Sequence, residues 1–151
     1  MDNLSKTLKQ QAIDLGLCKK WTEAWADDCD QQTLIDKFIK GLDFCLERNW
    51  PSTDFIKSNF DTTLLRQNLV FVDEDIDIAN APSGIYVLNG ECTGTLRFAP
   101  WAAATVYLRH STKVGIVAED FAKVFVRLYD EADVVTSSAE GAVVKVYDRR
   151  Q

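Results

Sequence analysis

The sequence predicts an α+β protein in which a small N-terminal helical layer is followed by a short C-terminal β-solenoid or β-roll. Before residue 68, apolar side chains recur three or four positions apart, as they do along one face of a helix. After residue 68 they alternate with polar side chains, as in strands with one buried face. Similar short strands also return every 18–21 residues, which is typical of a coil with two strands. We therefore expect a helical region at 1–68 and a β-strand region at 69–151, packed as one compact unit.

The first predicted helix is amphipathic and short. Leu4, Leu8, Ala12 and Leu15 lie three or four positions apart, which places them on one face. Gly16 follows them in the position that commonly ends a helix, because glycine tolerates the left-handed backbone found there.

Two more helices are expected before residue 50. Trp21 and Trp25 form an i,i+4 pair on a short helix that should begin near Leu17. Asp30 is a good N-cap for a long helix over 31–48, since its carboxylate can accept hydrogen bonds from the first turn. The apolar stripe of that helix comprises Leu34, Ile35, Phe38, Ile39, Leu42, Cys45 and Leu46.

The rest of the helical region consists of two short helices. Pro51 should end the preceding helix, because the residue before a proline is disfavoured in helical conformation. The segments "TDFIKSNF" and "DTTLLRQN" each follow a capping residue, Ser52 or Thr53 for the first and Asp61 for the second.

The β region should contain nine short strands rich in Val, Ile, Tyr and Phe. They are expected at 69–72, 76–79, 84–88, 95–98, 105–109, 114–118, 123–128, 132–136 and 142–147.

The recurrence of these strands favours a solenoid. The run that begins at Val106 resembles the run at Val124 after 18 residues, which resembles the run at Val144 after 20. An antiparallel β-sandwich is the alternative, because it also spaces strands at regular intervals. The dipeptide Asn89-Gly90, which favours a hairpin turn, supports that alternative.

Charge and hydropathy exclude several partners. The chain has 151 residues and a net charge of −6, and neither region carries an excess of Lys and Arg. Without a basic surface we expect no nucleic-acid partner, and an acidic protein is repelled by anionic lipid. We find no signal peptide and no apolar stretch of membrane-spanning length, and expect a cytoplasmic or virion-associated protein.

The motif search yields no catalytic site. The chain has one histidine, His110, and four cysteines without a CxxC spacing, so neither a zinc site nor a disulfide framework is expected. We interpret the cysteines as reduced thiols. The glycines form no phosphate-binding loop, and no cofactor is expected. An acid/base pair, if there is one, should come from Asp73, Asp75, Asp77, Glu91, His110 and Asp130.

The acidic run "VDEDIDIAN" offers a weak cation site. Asp73, Asp75 and Asp77 would share one face of a strand, where three carboxylates could hold a hard cation such as calcium. The calcium-loop pattern fails at its sixth and twelfth positions, where Ile78 and Gly84 stand. A charged edge strand that resists aggregation explains the same run without a ligand.

The segment "APWAAAT" is the strongest candidate for a contact with another chain. It places Pro100 and Trp101 beside small residues in a predicted loop. An exposed tryptophan there would make a contact patch, whereas a buried one would close the end of the β region.

The helical region carries a resemblance to known sequences. The segments "LGLCKKWTEAW" and "LIDKFIKGLDFCLERNWPSTDFIKSNF", with "VFVDE" after them, resemble small proteins of gut Bacteroidetes and of their phages or prophages. The resemblance covers residues 10–75 and fades in the β region. That group has no assigned activity, so the resemblance implies a mobile-element or virion association and no catalytic residues.

Together these features predict a non-enzymatic structural or protein-interaction protein that forms homo-oligomers, with a trimer among the expected states, or that joins other subunits. A carbohydrate- or other ligand-binding module is the first alternative, and exposed coplanar aromatic rings would favour it. A hydrolase with paired carboxylates is the second.

Overall fold

The computed structural model describes residues 3–150. Its internal contacts divide the chain into two compact units, with the boundary between Leu64 and Leu65. The sequence placed this boundary four residues later, at 68. The expectation that both regions pack as one compact unit stays a prediction.

The first unit is helical, as predicted. Its helices, together with the short one that crosses the unit boundary, are α1 (Leu4–Asp14), α2 (Lys19–Glu23), α3 (Gln31–Lys40), α4 (Leu42–Glu47), α5 (Thr53–Asn59) and α6 (Thr62–Gln67).

Side-chain caps fix where these helices begin. The Thr33 N–H donates to Asp30 Oδ1 at 2.8 Å, which confirms Asp30 as the N-cap of α3. The Phe55 N–H donates to Ser52 Oγ in the same way, so Ser52 rather than Thr53 caps α5. The long helix expected over 31–48 is instead two helices that meet at Gly41. Glycine destabilises a helix interior by about 1 kcal/mol, and here the helix breaks at that residue.

The second unit is a parallel β-solenoid, which confirms the preferred fold class. Its strands are β1 (Val70–Val72), β2 (Asp75–Ala81), β3 (Gly84–Asn89), β4 (Thr93–Phe98), β5 (Ala103–Leu108), β6 (Lys113–Ala118), β7 (Lys123–Leu128), β8 (Asp133–Ser138) and β9 (Val143–Asp148). Odd-numbered strands form one sheet in the order β1-β3-β5-β7-β9, and even-numbered strands form a second in the order β2-β4-β6-β8. Every described strand pair is parallel.

The antiparallel sandwich is therefore wrong, and so is a hairpin at Asn89-Gly90. That dipeptide forms a corner between the two sheets instead, with Gly90 at a φ of 75°. The chain turns there from β3 into β4, and each strand finds its partner one coil away.

A ten-residue repeat builds the β core from residue 93 to residue 148, because strands of six residues alternate there with four-residue corners. Inward positions alternate with outward ones along β5, β6 and β7, and the inward side chains are buried. A small buried side chain closes each of the five corners from β3 to β8, and these are Cys92, Ala102, Thr112, Ala122 and Ala132.

The register differs from the one inferred from the sequence. Val106 pairs with Val126 rather than with Val124, and the spacing is twenty residues from β3 onward. A shift of two residues keeps every side chain on the same face of a strand, so alternation alone could not distinguish 18 from 20.

The coil at β8 and β9 is the more open end of the described stack. Its inward columns end in Thr136, Ser138 and Asp148, where the preceding coil has Ile116, Ala118 and Leu128. Polar side chains at inward positions reduce the tendency of an open sheet edge to pair with another strand.

None of the helices described over residues 3–150 has the length and apolar character needed to span a bilayer.

Candidate functional site

Two exposed aromatic rings lie at one corner of the solenoid. Trp101 follows β4 and Phe121 follows β6, and the twenty-residue coil places one above the other. Their ring centroids are 4.7 Å apart with 18° between the planes, which is a stacked pair. Trp101 is 72% exposed and Phe121 is 49% exposed. Of the two predicted outcomes for "APWAAAT", the exposed tryptophan is therefore the observed one, with Pro100 exposed beside it, and a contact with another chain stays a prediction.

The backbone of both aromatic residues adopts an unusual conformation. Trp101 and Phe121 have φ values of 63° and 65°, in the left-handed region that costs an L-residue roughly 1–2 kcal/mol. Gly141 occupies the same position one coil further on, at a φ of 80°. A Cβ atom on Gly141 would lie 2.4 Å from Phe121 Cε1, so the Phe121 ring packs against the Gly141 backbone. The open aromatic surface of this corner therefore belongs mainly to Trp101.

Acidic residues occupy the corner positions next to the stacked residues. The backbone N–H of Trp101 donates to the backbone carbonyl of Asp120 at 3.0 Å, and the backbone N–H of Phe121 donates to that of Glu140 at 3.1 Å. A side-chain hydrogen bond with Asp120, and then the negative charges of Asp120 and Glu119, raise the pKa of Glu140. We refer to Pro100, Trp101, Asp120, Phe121 and Glu140 as the Trp101 corner. Its negative charges lie close enough to repel one another.

A second aromatic group covers the outside of the five-stranded sheet. Arg127 lies between two tyrosines one coil away on either side, with its Cζ 5.8 Å from the Tyr107 ring centroid and 5.6 Å from that of Tyr147. Phe125 stacks with Tyr147 at 6.5 Å, and Tyr107 stacks with Tyr129 at 6.5 Å. Aromatic and arginine side chains thus form a continuous row along the solenoid.

The composition of this surface differs from that of the whole chain. The nine outward positions of β5, β7 and β9 include no Asp or Glu, although the chain has 23 such residues. We call these nine positions the aromatic face: Ala103, Thr105, Tyr107, Lys123, Phe125, Arg127, Val143, Lys145 and Tyr147. Three of them are cationic, so the face is positive on a protein with a net charge of −6.

The opposite corner gathers the predicted acid/base residues in part. The backbone N–H of Gly90 donates to the ring Nδ1 of His110 at 2.8 Å. The backbone N–H of His110 donates to Asp130 Oδ2 at 2.9 Å. The Glu91 N–H donates to Asp73 Oδ1 at 2.7 Å. Four of the six candidates thus lie in neighbouring corner segments.

This arrangement disfavours protonation of His110. Burial lowers the pKa of His110 below its ordinary 6.5, the positive charge of Arg109 acts in the same direction, and Asp130 and Asp73 act against them. Because Nδ1 accepts the Gly90 hydrogen bond, a proton there would break that bond. The geometry accounts for His110 as a backbone acceptor that fixes the corner. An acid/base role for it stays a prediction.

The acidic run does not converge on a cation site. Asp75 Oδ1 accepts from Thr93 Oγ1 at 3.2 Å, and Asp77 is exposed further along β2. Asp73 lies before β2, at a φ of 51°, and bonds the next coil through Glu91. Across residues 3–150, no three His, Cys, Asp or Glu side chains are grouped so that they could hold a metal ion.

No disulfide joins Cys18, Cys29, Cys45 and Cys92 in the described structure. Cys92 closes a corner in the β core, where burial raises the pKa of its thiol. A raised pKa keeps the thiol protonated and unreactive.

Trp101 was predicted from the sequence as a contact residue, but Phe121 and the aromatic face were not predicted. The signal was present, since Trp101 and Phe121 lie one coil apart, as do Tyr107, Arg127 and Tyr147. Only the correct twenty-residue period brings these residues into line, and the period inferred from the valine-rich runs was variable.

No protein-family model, no curated protein and no solved structure matches this chain.

Proposed function

We propose that this protein is a non-enzymatic structural or protein-interaction protein that assembles into oligomers through its aromatic face. The observation that carries the proposal is the composition of that face, where aromatic and cationic side chains are present and carboxylates are absent. Tyr, Trp, Phe and Arg are enriched in protein–protein interfaces, whereas Asp and Glu are depleted from them.

The rigidity of the support favours this role. The parallel ladders hold the rings at fixed spacing along the stack, and Arg127 is held between Tyr107 and Tyr147. Side chains that are already ordered lose less conformational entropy when a partner binds.

A second copy is the partner we favour, because its charge has the opposite sign to the face. Each chain carries −6 overall, with acidic side chains at the solenoid corners, while the aromatic face carries Lys123, Arg127 and Lys145. A face of one copy can therefore attract an acidic corner of another, and a closed ring of such contacts gives a cyclic oligomer such as a trimer.

Light scattering coupled to gel filtration tests the proposal. The wild-type chain of 17.0 kDa should elute with a mass that is a multiple of this value at low micromolar concentration. Lys145→Glu should shift the equilibrium toward the monomer, because it reverses a charge on the exposed part of the face. Lys113→Glu is the matched control, since Lys113 is also exposed and faces outward but lies in the four-stranded sheet. A wild-type monomer up to about 100 µM, a concentration at which specific interfaces with micromolar Kd are saturated, would contradict the proposal.

The association with a phage or other mobile element is part of this proposal and has a separate test. It is supported by the resemblance of residues 10–75 to small proteins of gut Bacteroidetes and their phages. Capsid or tail genes beside the coding sequence would support a role in a particle, whereas metabolic genes there would count against it.

A further inference from the structure

The Trp101 corner combines an open aromatic ring with negative charge. Trp101 is 72% exposed. Its backbone N–H donates to the backbone carbonyl of Asp120, which belongs to the corner one coil further along. The Asp120 side chain is in turn hydrogen-bonded with that of Glu140. A corner that carries both an exposed aromatic ring and carboxylates suits cations, because the ring quadrupole and the carboxylates both attract positive charge.

The charges of the corner are only partly compensated within the chain. Arg97 Nη1 lies 3.6 Å from Glu119 Oε1, which gives that carboxylate a cationic partner. Asp120 and Glu140 instead share a hydrogen bond, and this bond together with their mutual repulsion raises the pKa of Glu140. A further cation would relieve this repulsion when it binds.

The same chain displays a matching surface. The aromatic face carries three cationic side chains and no carboxylate. Lys123 and Lys145 are exposed cations of this face, and Lys145 lies between Val143 and Tyr147 on the outermost strand, β9.

We propose that the Trp101 corner of one copy binds the cationic side chains on the aromatic face of a second copy. This inference deepens the proposed function, since it names the surface that the aromatic face meets. One cationic side chain of the second copy pairs with Asp120 and Glu140, and another packs on the open Trp101 ring. The contact joins two different surfaces of the chain, so each copy contributes one of each.

Charge reversal and its complementation test the pairing by sedimentation equilibrium. Glu140→Lys alone should raise the dissociation constant of the oligomer by at least about tenfold, because attraction becomes repulsion at a close charge pair. Lys145→Glu should do the same. The double variant Glu140→Lys/Lys145→Glu should regain most of the wild-type affinity, because every contact of the oligomer then joins a reversed charge pair.

Two further variants separate this contact from a general effect of charge. Glu131→Lys makes the same charge change on an exposed residue of the opposite corner, and it should leave the dissociation constant within about twofold. Trp101→Ala removes the exposed ring and should weaken association about tenfold, as truncation of an aromatic anchor does.

The outcomes distinguish the two proposals. A monomeric wild type overturns both of them. An oligomer that Lys145→Glu weakens but Glu140→Lys and Trp101→Ala leave unchanged overturns the pairing and keeps the aromatic face. Failure of complementation, with both single variants weakened, also overturns the pairing. A neutral oligosaccharide such as maltohexaose that protects Trp101 from quenching, while Glu140→Lys leaves association unchanged, would favour the ligand-binding alternative over it.

Discussion

Three valines in one column of the core offer a graded test of the stack. Val106, Val126 and Val146 are register partners in β5, β7 and β9, each one coil from the next. Val106 and Val126 are 0% exposed, whereas Val146 is 43% exposed because it lies in the last described coil. The same change, Val→Ala, can therefore be made at three positions that differ only in their place along the stack.

The expected cost follows from this burial. Valine to alanine removes two carbons, and their transfer to water costs about 1.6 kcal/mol. At Val106 and Val126 the neighbouring coils cannot close the gap, so a cavity term of about 1 kcal/mol is added. We expect both variants to lose about 2.5 kcal/mol of unfolding free energy. At Val146 a little over half of the transfer term applies and no closed cavity forms, so the loss should be about 1 kcal/mol.

Urea unfolding followed by circular dichroism measures these differences, and Val135→Ala serves as the surface control. Val135 points outward from β8 and is 78% exposed, so its truncation should cost less than about 0.5 kcal/mol. Equal losses at Val106, Val126 and Val146, or a loss above about 1 kcal/mol at Val135, would refute the assignment of inward and outward positions.

Three other changes test the corners and the coil contacts. Trp101→Gly should be more stable than Trp101→Ala by about 1 kcal/mol in thermal or urea unfolding. Both variants lose the ring, but only glycine adopts a φ of 63° without strain. The opposite order of stability would contradict the left-handed conformation of residue 101. Gly94→Ala should unfold the β unit or lower its free energy of unfolding by more than about 3 kcal/mol, because the added Cβ would lie 1.7 Å from the Ile76 carbonyl oxygen. Gly115→Ala is the control and should be tolerated, because the nearest atom to its Cβ is 3.5 Å away. Differential scanning calorimetry measures both variants. The lowered pKa of His110 means that the unfolded chain takes up a proton more readily, so stability should be constant above about pH 6.5 and fall as the pH drops from there toward the folded-state pKa; His110→Asn should lose this part of the pH profile.

Local chemistry made the helices and strands predictable. Asp30, Ser52 and Asp61 accept the backbone N–H hydrogen bonds expected of N-caps, and alternating valines in the strands bury one face. These features depend on neighbours in sequence, which a single chain displays directly. The break at Gly41 shows the limit, because a stripe that continues through a glycine does not reveal whether the helix does.

The site was less predictable because it depends on register. Trp101 could be selected as an unusual residue in a loop, but its partner Phe121 is defined only by the coil length. The same holds for His110 and Gly90, which lie twenty residues apart and meet through a hydrogen bond between corners. Since a two-residue slip leaves every strand equally amphipathic, the pattern of apolar residues could not supply this information.

The twenty-residue parallel coil is the feature on which the aromatic face and the Trp101 corner both depend. Interstrand nuclear Overhauser effects between backbone protons measure it directly in solution. We expect contacts that join Val106 to Val126 in one sheet and Ile116 to Thr136 in the other. Contacts that join β5 to β6 as antiparallel neighbours, or that join Val106 to Val124, would contradict it.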